Sequence, residues 1–289
     1  MLDIQGVGYR IGKKEILHSI TFTGVPGSVM GIIGPNGAGK STLLRLIAGD
    51  SAPSSGHISW KQQNIQAWKP QIFAKERAVL TQQTQLSQDF LVKDVVMMGR
   101  YPHFGRFPKP EDLQIVEKTM QQTDISGFAE ASYGRLSGGE KQRVQLARAL
   151  AQISGGEAPC LLLLDEPLNN LDIRYQHSIM KEARNIAAEG HMVAIVLHDI
   201  NLASRYVDEL LLLGQGKLKA KGTPQEVLTP KILTEIFQIH TEVITTPEAG
   251  HPVVVFGDPI VQSHHIPKRD GNDTTLTQGS LGGTQIRTA

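Results

Sequence analysis

The chain has 289 residues, with Lys+Arg 29 against Asp+Glu 28 and a formal net charge of +1. That balance excludes a protein held to nucleic acid mainly by its overall charge, and 40% hydrophobic with 20% charged residues excludes a chain too polar to build a core. The longest aliphatic runs, 161–164 and 210–213, fall far short of the about 20 residues a membrane-spanning helix needs. The opening MLDIQGVGYRIGKKE holds no apolar signal core, and a single cysteine, Cys160, excludes an intramolecular disulfide and fits a reducing cytoplasm.

In chain order, residues 28–33 read as a short apolar strand ending in a Gly-rich turn, and 41–48 have helical apolar spacing up to Gly49. Residues 78–80 read as a strand. Residues 92–98 and 111–123 read as helices, with a Pro-rich loop (101–110) between them. A strong helix covers 137–152, followed by a small Gly-containing insertion at 154–159. Residues 160–164 and 192–197 are apolar at every position, the pattern of strands buried on both faces. Between them 173–189 is an amphipathic helix; 199–206 is helical and 209–213 a strand. Beyond Gly214 the pattern turns more polar: a strand at 217–220, helices at 224–228 and 230–239, and short strands at 243–245 and 253–256. The expectation is one α/β domain over 1–256, built on a mostly parallel sheet, with an antiparallel β lobe before the glycine loop and a helical insertion over about 91–148. Residues 257–289 are polar and Gly/Thr-rich and read as a disordered tail.

Two segments carry phosphate chemistry. Gly34-Pro35-Asn36-Gly37-Ala38-Gly39-Lys40-Ser41-Thr42 matches G-x-x-x-x-G-K-[ST] between a strand and a helix, the context in which backbone N–H groups cradle an anion. Lys40 is placed to reach the β- and γ-phosphates and the Ser41 hydroxyl to ligate Mg²⁺. A chance lysine in a glycine turn is the plainer alternative, and the strand–loop–helix setting disfavours it. The second segment is the apolar strand that ends in Asp165-Glu166-Pro167. Asp165 would hold Mg²⁺ through water, and Glu166, pointing the other way, suits a general base for an attacking water.

The run Leu136-Ser137-Gly138-Gly139-Glu140-Lys141-Gln142-Arg143 is a capping box by itself, Ser137 with Glu140 three residues on. Two glycines in a helix's first turn cost stability, and they make sense where a phosphate must approach the backbone. The segment resembles the signature of the ATP-binding cassette (ABC) family, and the resemblance extends over about residues 1–256. It implies a P-loop NTPase fold and ATP with Mg²⁺. It makes Gln82 (beside Gln83) the Mg²⁺-sensing glutamine that also contacts the membrane partner. His198 becomes the histidine on the γ-phosphate, Tyr9 the aromatic that stacks on adenine, and Asp172 a member of the loop reaching across a dimer. It implies a second copy of the chain, whose Ser137, Gly138, Gly139 and Glu140 would cap the nucleotide held by the first. Two departures, Thr81 where many importers have Pro and Leu168 where Thr is frequent, supply no catalytic chemistry.

Among ABC proteins, the absence of sustained heptads excludes the long coiled coils of the repair ATPases, and a single cassette differs from the paired cassettes of translation factors. A soluble ABC ATPase not tied to a transporter is the alternative of a different class. The importer reading predicts a peripheral protein at the cytoplasmic face of the inner membrane, two transmembrane permease subunits, an indirect link to a periplasmic substrate-binding protein, and no nucleic acid. Within importers the wording of 95–103, 143–152, 197–203 and 222–230 resembles the iron-chelate, vitamin B12 and heme group, its hemin importers above all, with ferric siderophore or cobalamin as the alternative cargo. His103 and the pair His264-His265 invite a heme-ligand reading. A satisfied loop histidine and a solvated tail are the stronger readings. Tyr101, Phe104 and Phe107 read as partner contacts or local packing.

Overall fold

The computed structural model describes residues 1–81, 90–156, 159–169, 171–245 and 250–260. Two antiparallel strands open it, β1 (Leu2–Ile11) and β2 (Lys14–Gly24). β3 (Val29–Ile33) then runs through a glycine loop into α1 (Lys40–Ile47). β4 (Ser55–Trp60) and β5 (Gln63–Asn64) return to the free edge of β1 and give a four-stranded sheet in the order β2-β1-β4-β5. The sequence placed this lobe before the glycine loop; in fact two of its strands follow the loop, so the lobe and α1 are tied together by chain entering and leaving. α2 (Pro70–Glu76), a short helix with Pro in its first turn, leads into β6 (Arg77–Leu80).

α3 (Val92–Met97), a 3-10 turn over Met98–His103, α4 (Pro110–Gln122) and α5 (Gly138–Ile153) form the helical part. The 3-10 turn takes in Met98, expected to end the preceding helix, and the first three residues of what the sequence reads as loop. β7 (Leu161–Asp165), α6 (Ile173–Ala188), β8 (Met192–Val196), α7 (Ile200–Tyr206) and β9 (Glu209–Gly214) continue the strand–helix alternation, and β10 (Lys217–Gly222) turns back along β9. α8 (Pro224–Val227), α9 (Pro230–Phe237) and the hairpin of β11 (Ile239–Thr245) with β12 (Pro252–Pro259) complete the chain. α9 stops short of the expected residue 239 because Gln238 takes a left-handed conformation, φ 56.

The main sheet has six strands in the order β10-β9-β3-β8-β7-β6, parallel except for β10. Its central strands divide their side chains between two cores. Leu162 and Leu164, Val193 and Ile195, Leu210 and Leu212 face a core shared with α5, α6 and α7. Leu161 and Leu163, Ala194 and Val196, Leu211 and Leu213 face a core shared with α1 and the antiparallel lobe. Consecutive strand residues point to opposite faces, so a run of leucines is what a strand buried on both sides requires. α5 also serves two cores. Leu146, Ala149 and Leu150 join the sheet core, while Val144, Ala147 and Ala151 join a third core built on α3 and α4.

The helical part is locked to the C-terminus of α5 by a buried ion pair. Arg100 Nε donates to Asp112 Oδ1 at 2.9 Å, with both side chains 5% exposed. The same guanidinium donates to the backbone oxygens of Ala151 and Ser154, and Asp112 Oδ2 accepts from the Lys109 N–H. Removing one partner of such a pair strands a buried charge. Arg100→Ala is therefore expected to cost about 3–5 kcal/mol, read as a lower urea midpoint, and Arg100→Met with Asp112→Leu should recover most of it. An unchanged midpoint in Arg100→Ala would show that the pair is not structural. His103 Nε2 lies 2.7 Å from the Gln152 oxygen beside this pair, the satisfied role expected for a loop histidine. Cys160 is buried, and burial pushes its thiol up to about 11, an unreactive sulfur.

Candidate active site

β3 carries the chain into the glycine loop. A Cβ on Gly34 would collide with the Leu213 carbonyl of β9, and one on Gly39 (φ +96) with the Leu17 side chain of β2, so both positions demand glycine. The loop is thus wedged between the main sheet and the lobe. Gly39 caps α1, whose first turn contains no acidic side chain. The N-terminal N–H groups and the positive end of the helix are left for an anion.

Lys40 is 5% exposed, and its Nζ donates to the Gly34 oxygen at 2.8 Å and the Pro35 oxygen at 3.1 Å. Burial holds its ammonium below the usual lysine range, while the charges of Glu166 and Asp165 pull the other way. Ser41 Oγ donates to Asp165 Oδ1 at 2.9 Å. Asp165 ends β7, parallel to β8 with Val196 alongside. Burial raises its carboxyl above the ordinary aspartate range; the Glu166 charge raises it further, and Ser41 opposes both.

Glu166 has φ 52, a left-handed conformation for a residue with a side chain. Such a backbone costs of order 1–3 kcal/mol and persists where neighbours over-determine it. Here Asn169 Nδ2 donates to Glu166 Oε2 at 2.7 Å, and His198 Nε2 lies 2.6 Å from Glu166 Oε1. The turn beyond is held by Gln142 Nε2 on the Pro167 oxygen at 3.1 Å and by Gln176 Nε2 on the Leu171 oxygen at 3.1 Å. Asn169 and Gln176 were not singled out in the sequence, and Gln142 stood there only as one member of the signature run. Each is an ordinary polar residue whose role exists only once α5 and α6 pack beside β7.

Asn36 to Thr42, Glu166, and Lys14, Glu15, Ile16, His18, Gln215 and Gly216 line one cleft of about 470 Å³, within the range of small-ligand pockets. The sequence reading missed the second group. β2 and the β9–β10 turn meet there, the His18 N–H donating to the Gly216 oxygen at 2.8 Å, and no local pattern announces that meeting. Tyr9 does not line the cleft; it pairs with Leu17 across β1 and β2 and packs half-buried on the lobe core. Its observed role within one chain is packing.

Ser137 to Glu140 also lie apart from the cleft lining. Ser137 caps α5: its N–H and its hydroxyl donate to Glu140 Oε2 at 2.7 Å each, and these bonds hold the Glu140 carboxyl below its usual range. Asp172 caps α6, accepting from the Tyr175 N–H at 3.0 Å. Gln82 falls outside the described residues, as do Asn170, His264 and His265.

For a metal, the Ser41 hydroxyl and the Asp165 carboxylate sit together beside the phosphate loop, two hard oxygen donors, while among the described residues no group of three or more His, Cys, Asp or Glu forms a cage. Mg²⁺ is usually held by one or two carboxylates plus substrate phosphates and water rather than by an all-protein cage, so the donor set fits that ion.

Residues 17–169 match the family model described as ABC transporter. The chain is 44% identical over 255 residues, 88% of its length and 99% of the relative's, to "Hemin import ATP-binding protein HmuV" of Pseudomonas entomophila (strain L48). It is also 44% identical over 257 residues to the protein of the same name from Gloeobacter violaceus, covering 88% of this chain and 94% of that one. Among solved structures it resembles an inward-facing putative metal-chelate type ABC transporter (TM-score 0.74, 26% identity, 88% of this chain and 96% of that one). It also resembles a dimeric ATP-binding cassette in a post-hydrolysis state with ADP and Pi (TM-score 0.68, 25% identity, 77% and 98%).

Proposed function

This chain belongs to the ABC transporter family, and from that premise we propose that it is the ATP-hydrolysing subunit of a membrane importer whose cargo is hemin. The observation that carries the ATPase reading is a single cleft where Lys40, Ser41 and Glu166 meet, with Asp165 bonded to Ser41 and His198 to Glu166. The hemin reading rests on relatives of that name matched over 88% of this chain.

The chemistry follows from placement. The N-terminal amides of α1 and Lys40 take the phosphate charge. Glu166 is held by Asn169 on one oxygen and His198 on the other, which fixes the direction in which its carboxylate can take a water proton. His198, 2.6 Å from Glu166 Oε1, orients that carboxylate and is the residue assigned to the γ-phosphate. When bound, Mg²⁺ neutralises phosphate charge, with Ser41, Gln82 and Asp165 (through water) as its holders.

The lid comes from a second copy. Among the described residues a Cβ on Gly138 would meet nothing within 4 Å, so none of their packing asks for glycine there. A partner's phosphate, approaching the start of α5, would. Two copies placed head to tail bring Ser137, Gly138, Gly139 and Glu140 of each onto the nucleotide of the other, with Asp172 in the loop between. ATP then stabilises the closed pair by its differential affinity for it, and hydrolysis releases it. The pair sits peripherally at the cytoplasmic face of the inner membrane beneath two permease subunits, and no residue of the cassette touches cargo delivered from a periplasmic binding protein. No helix among the described residues is long and apolar enough to cross a membrane.

Reconstitution with the permease in vesicles tests the assignment. ATP-dependent uptake of hemin, exceeding that of a ferric siderophore or cobalamin, is expected. Preferred uptake of either alternative reassigns the cargo, and ATP hydrolysis indifferent to the permease favours a soluble ATPase.

A further inference from the structure

We propose that the C-terminal hairpin is a brace that sets the position of His198, and that Asn201 and Ser204 are the positioning residues through which it acts. This rests on the ATPase reading above. His198 is followed directly by Asp199, which caps α7 by accepting from the Leu202 N–H at 2.9 Å. Where α7 points therefore decides where His198 sits.

α7 has only seven residues, too few to hold a shape or direction of its own. Its apolar side, Ile200, Leu202, Ala203 and Tyr206, lies in the sheet core. Its C-terminus is held by α6, with Arg184 Nη1 donating to the Tyr206 oxygen at 2.9 Å. At the end near His198 the restraint is different. Asn201 Nδ2 donates to the Val254 oxygen at 3.0 Å, and the Val254 N–H donates to Asn201 Oδ1 at 2.7 Å. One turn on, Ser204, buried, donates to the Pro252 oxygen at 2.7 Å. Both atoms of one amide are thus spent on one residue of β12, as a neighbouring strand would spend its backbone.

Apolar contacts allow a helix to roll by small angles; a two-point amide bond has one register. The hairpin is in turn fixed to the body. Val254 is buried in the sheet core, Thr241 Oγ1 donates to the Pro230 oxygen at 3.1 Å, and Phe256 meets Phe237 edge to face. Releasing the brace frees α7 to turn, and the 2.6 Å contact of His198 with Glu166 loosens. Displacements of about 1 Å around a reacting centre can cost about 10²-fold in rate. The brace makes no hydrogen bond to Lys40 or to the glycine loop, the groups that carry most of the phosphate charge, so nucleotide affinity should change far less than the rate.

The experiment is a mutant cycle on the full chain, read by single-turnover ATP hydrolysis, ATP binding and the imidazole NMR resonances of His198, assigned by their loss in His198→Ala. Asn201→Leu is expected to slow hydrolysis about 5- to 30-fold, to leave the ATP dissociation constant within about twofold, and to move the His198 resonances. In the His198→Ala background the same substitution should change the rate by less than about twofold, because coupled residues are not additive. Ser204→Ala, which removes one hydroxyl, should do the same more weakly and serves if Asn201→Leu does not fold. Equal losses in both backgrounds, or His198 resonances that stay in place, would overturn the proposal and leave the hairpin a stabilising element only. A wild-type chain that does not hydrolyse ATP even together with its permease would instead sink the ATPase reading, while the resonances would still decide whether the brace reaches His198.

Discussion

Replacing Glu166 with Gln is expected to lower the rate of ATP hydrolysis by about 10²–10⁴-fold, the range that a positioned general base supplies, while ATP binding stays within a few-fold of wild type. Glu166 is held from two sides, by Asn169 on Oε2 and His198 on Oε1. Gln fills the same volume but replaces one carboxylate oxygen with an N–H₂, so the base is removed while the shape is kept. The phosphate-binding groups, Lys40 and the α1 N-terminus, are untouched. With binding intact and hydrolysis blocked, the closed pair should accumulate. Size-exclusion chromatography with ATP and Mg²⁺ should show a dimer in the variant that outlasts the wild-type one. Normal steady-state hydrolysis by Glu166→Gln would refute the role given to this residue.

Lys40→Ala is expected to weaken ATP binding by about 10- to 100-fold, the loss of a hydrogen bond to a charged group at about 1.5–3 kcal/mol. Lys40 is 5% exposed and lines the cleft, where water screens poorly. Alanine leaves the α1 amides in place, so residual binding should persist rather than vanish. Isothermal titration with ATP and Mg²⁺ measures it directly. An unchanged dissociation constant would remove Lys40 from the phosphate site.

Much of this architecture was legible from residues 160–164 and 192–197, whose apolar runs required strands covered on both faces, from the short apolar strand at 28–33, and from the Gly and Lys spacing of the loop. The capping box at Ser137 and Glu140 was also legible, because it is a local structure. The lobe was harder. β1 has register shifts between Ile4 and Val7 and again beyond, with Gly6 at φ 60, and a bulge breaks the period-2 alternation by which a strand is recognised. β4 pairs with β1 across the whole glycine loop and α1, a long-range event that no window of sequence contains. α2 is seven residues opened by a proline, too short for its periodicity to be read. At the site, the candidate catalytic residues were legible because their spacing forms motifs between strands and helices. Those that hold them, Asn169, Gln142 and Gln176, were not, since their value lies wholly in the carbonyls and carboxylate they meet.

The two carbonyls that hold Lys40 tie the loop to itself. Gly34 and Pro35 accept from the ammonium at 2.8 and 3.1 Å, so one side chain staples the first residues of the loop to the first residue of α1. Cutting that staple would free both oxygens to turn, a loss of loop order added to the loss of charge.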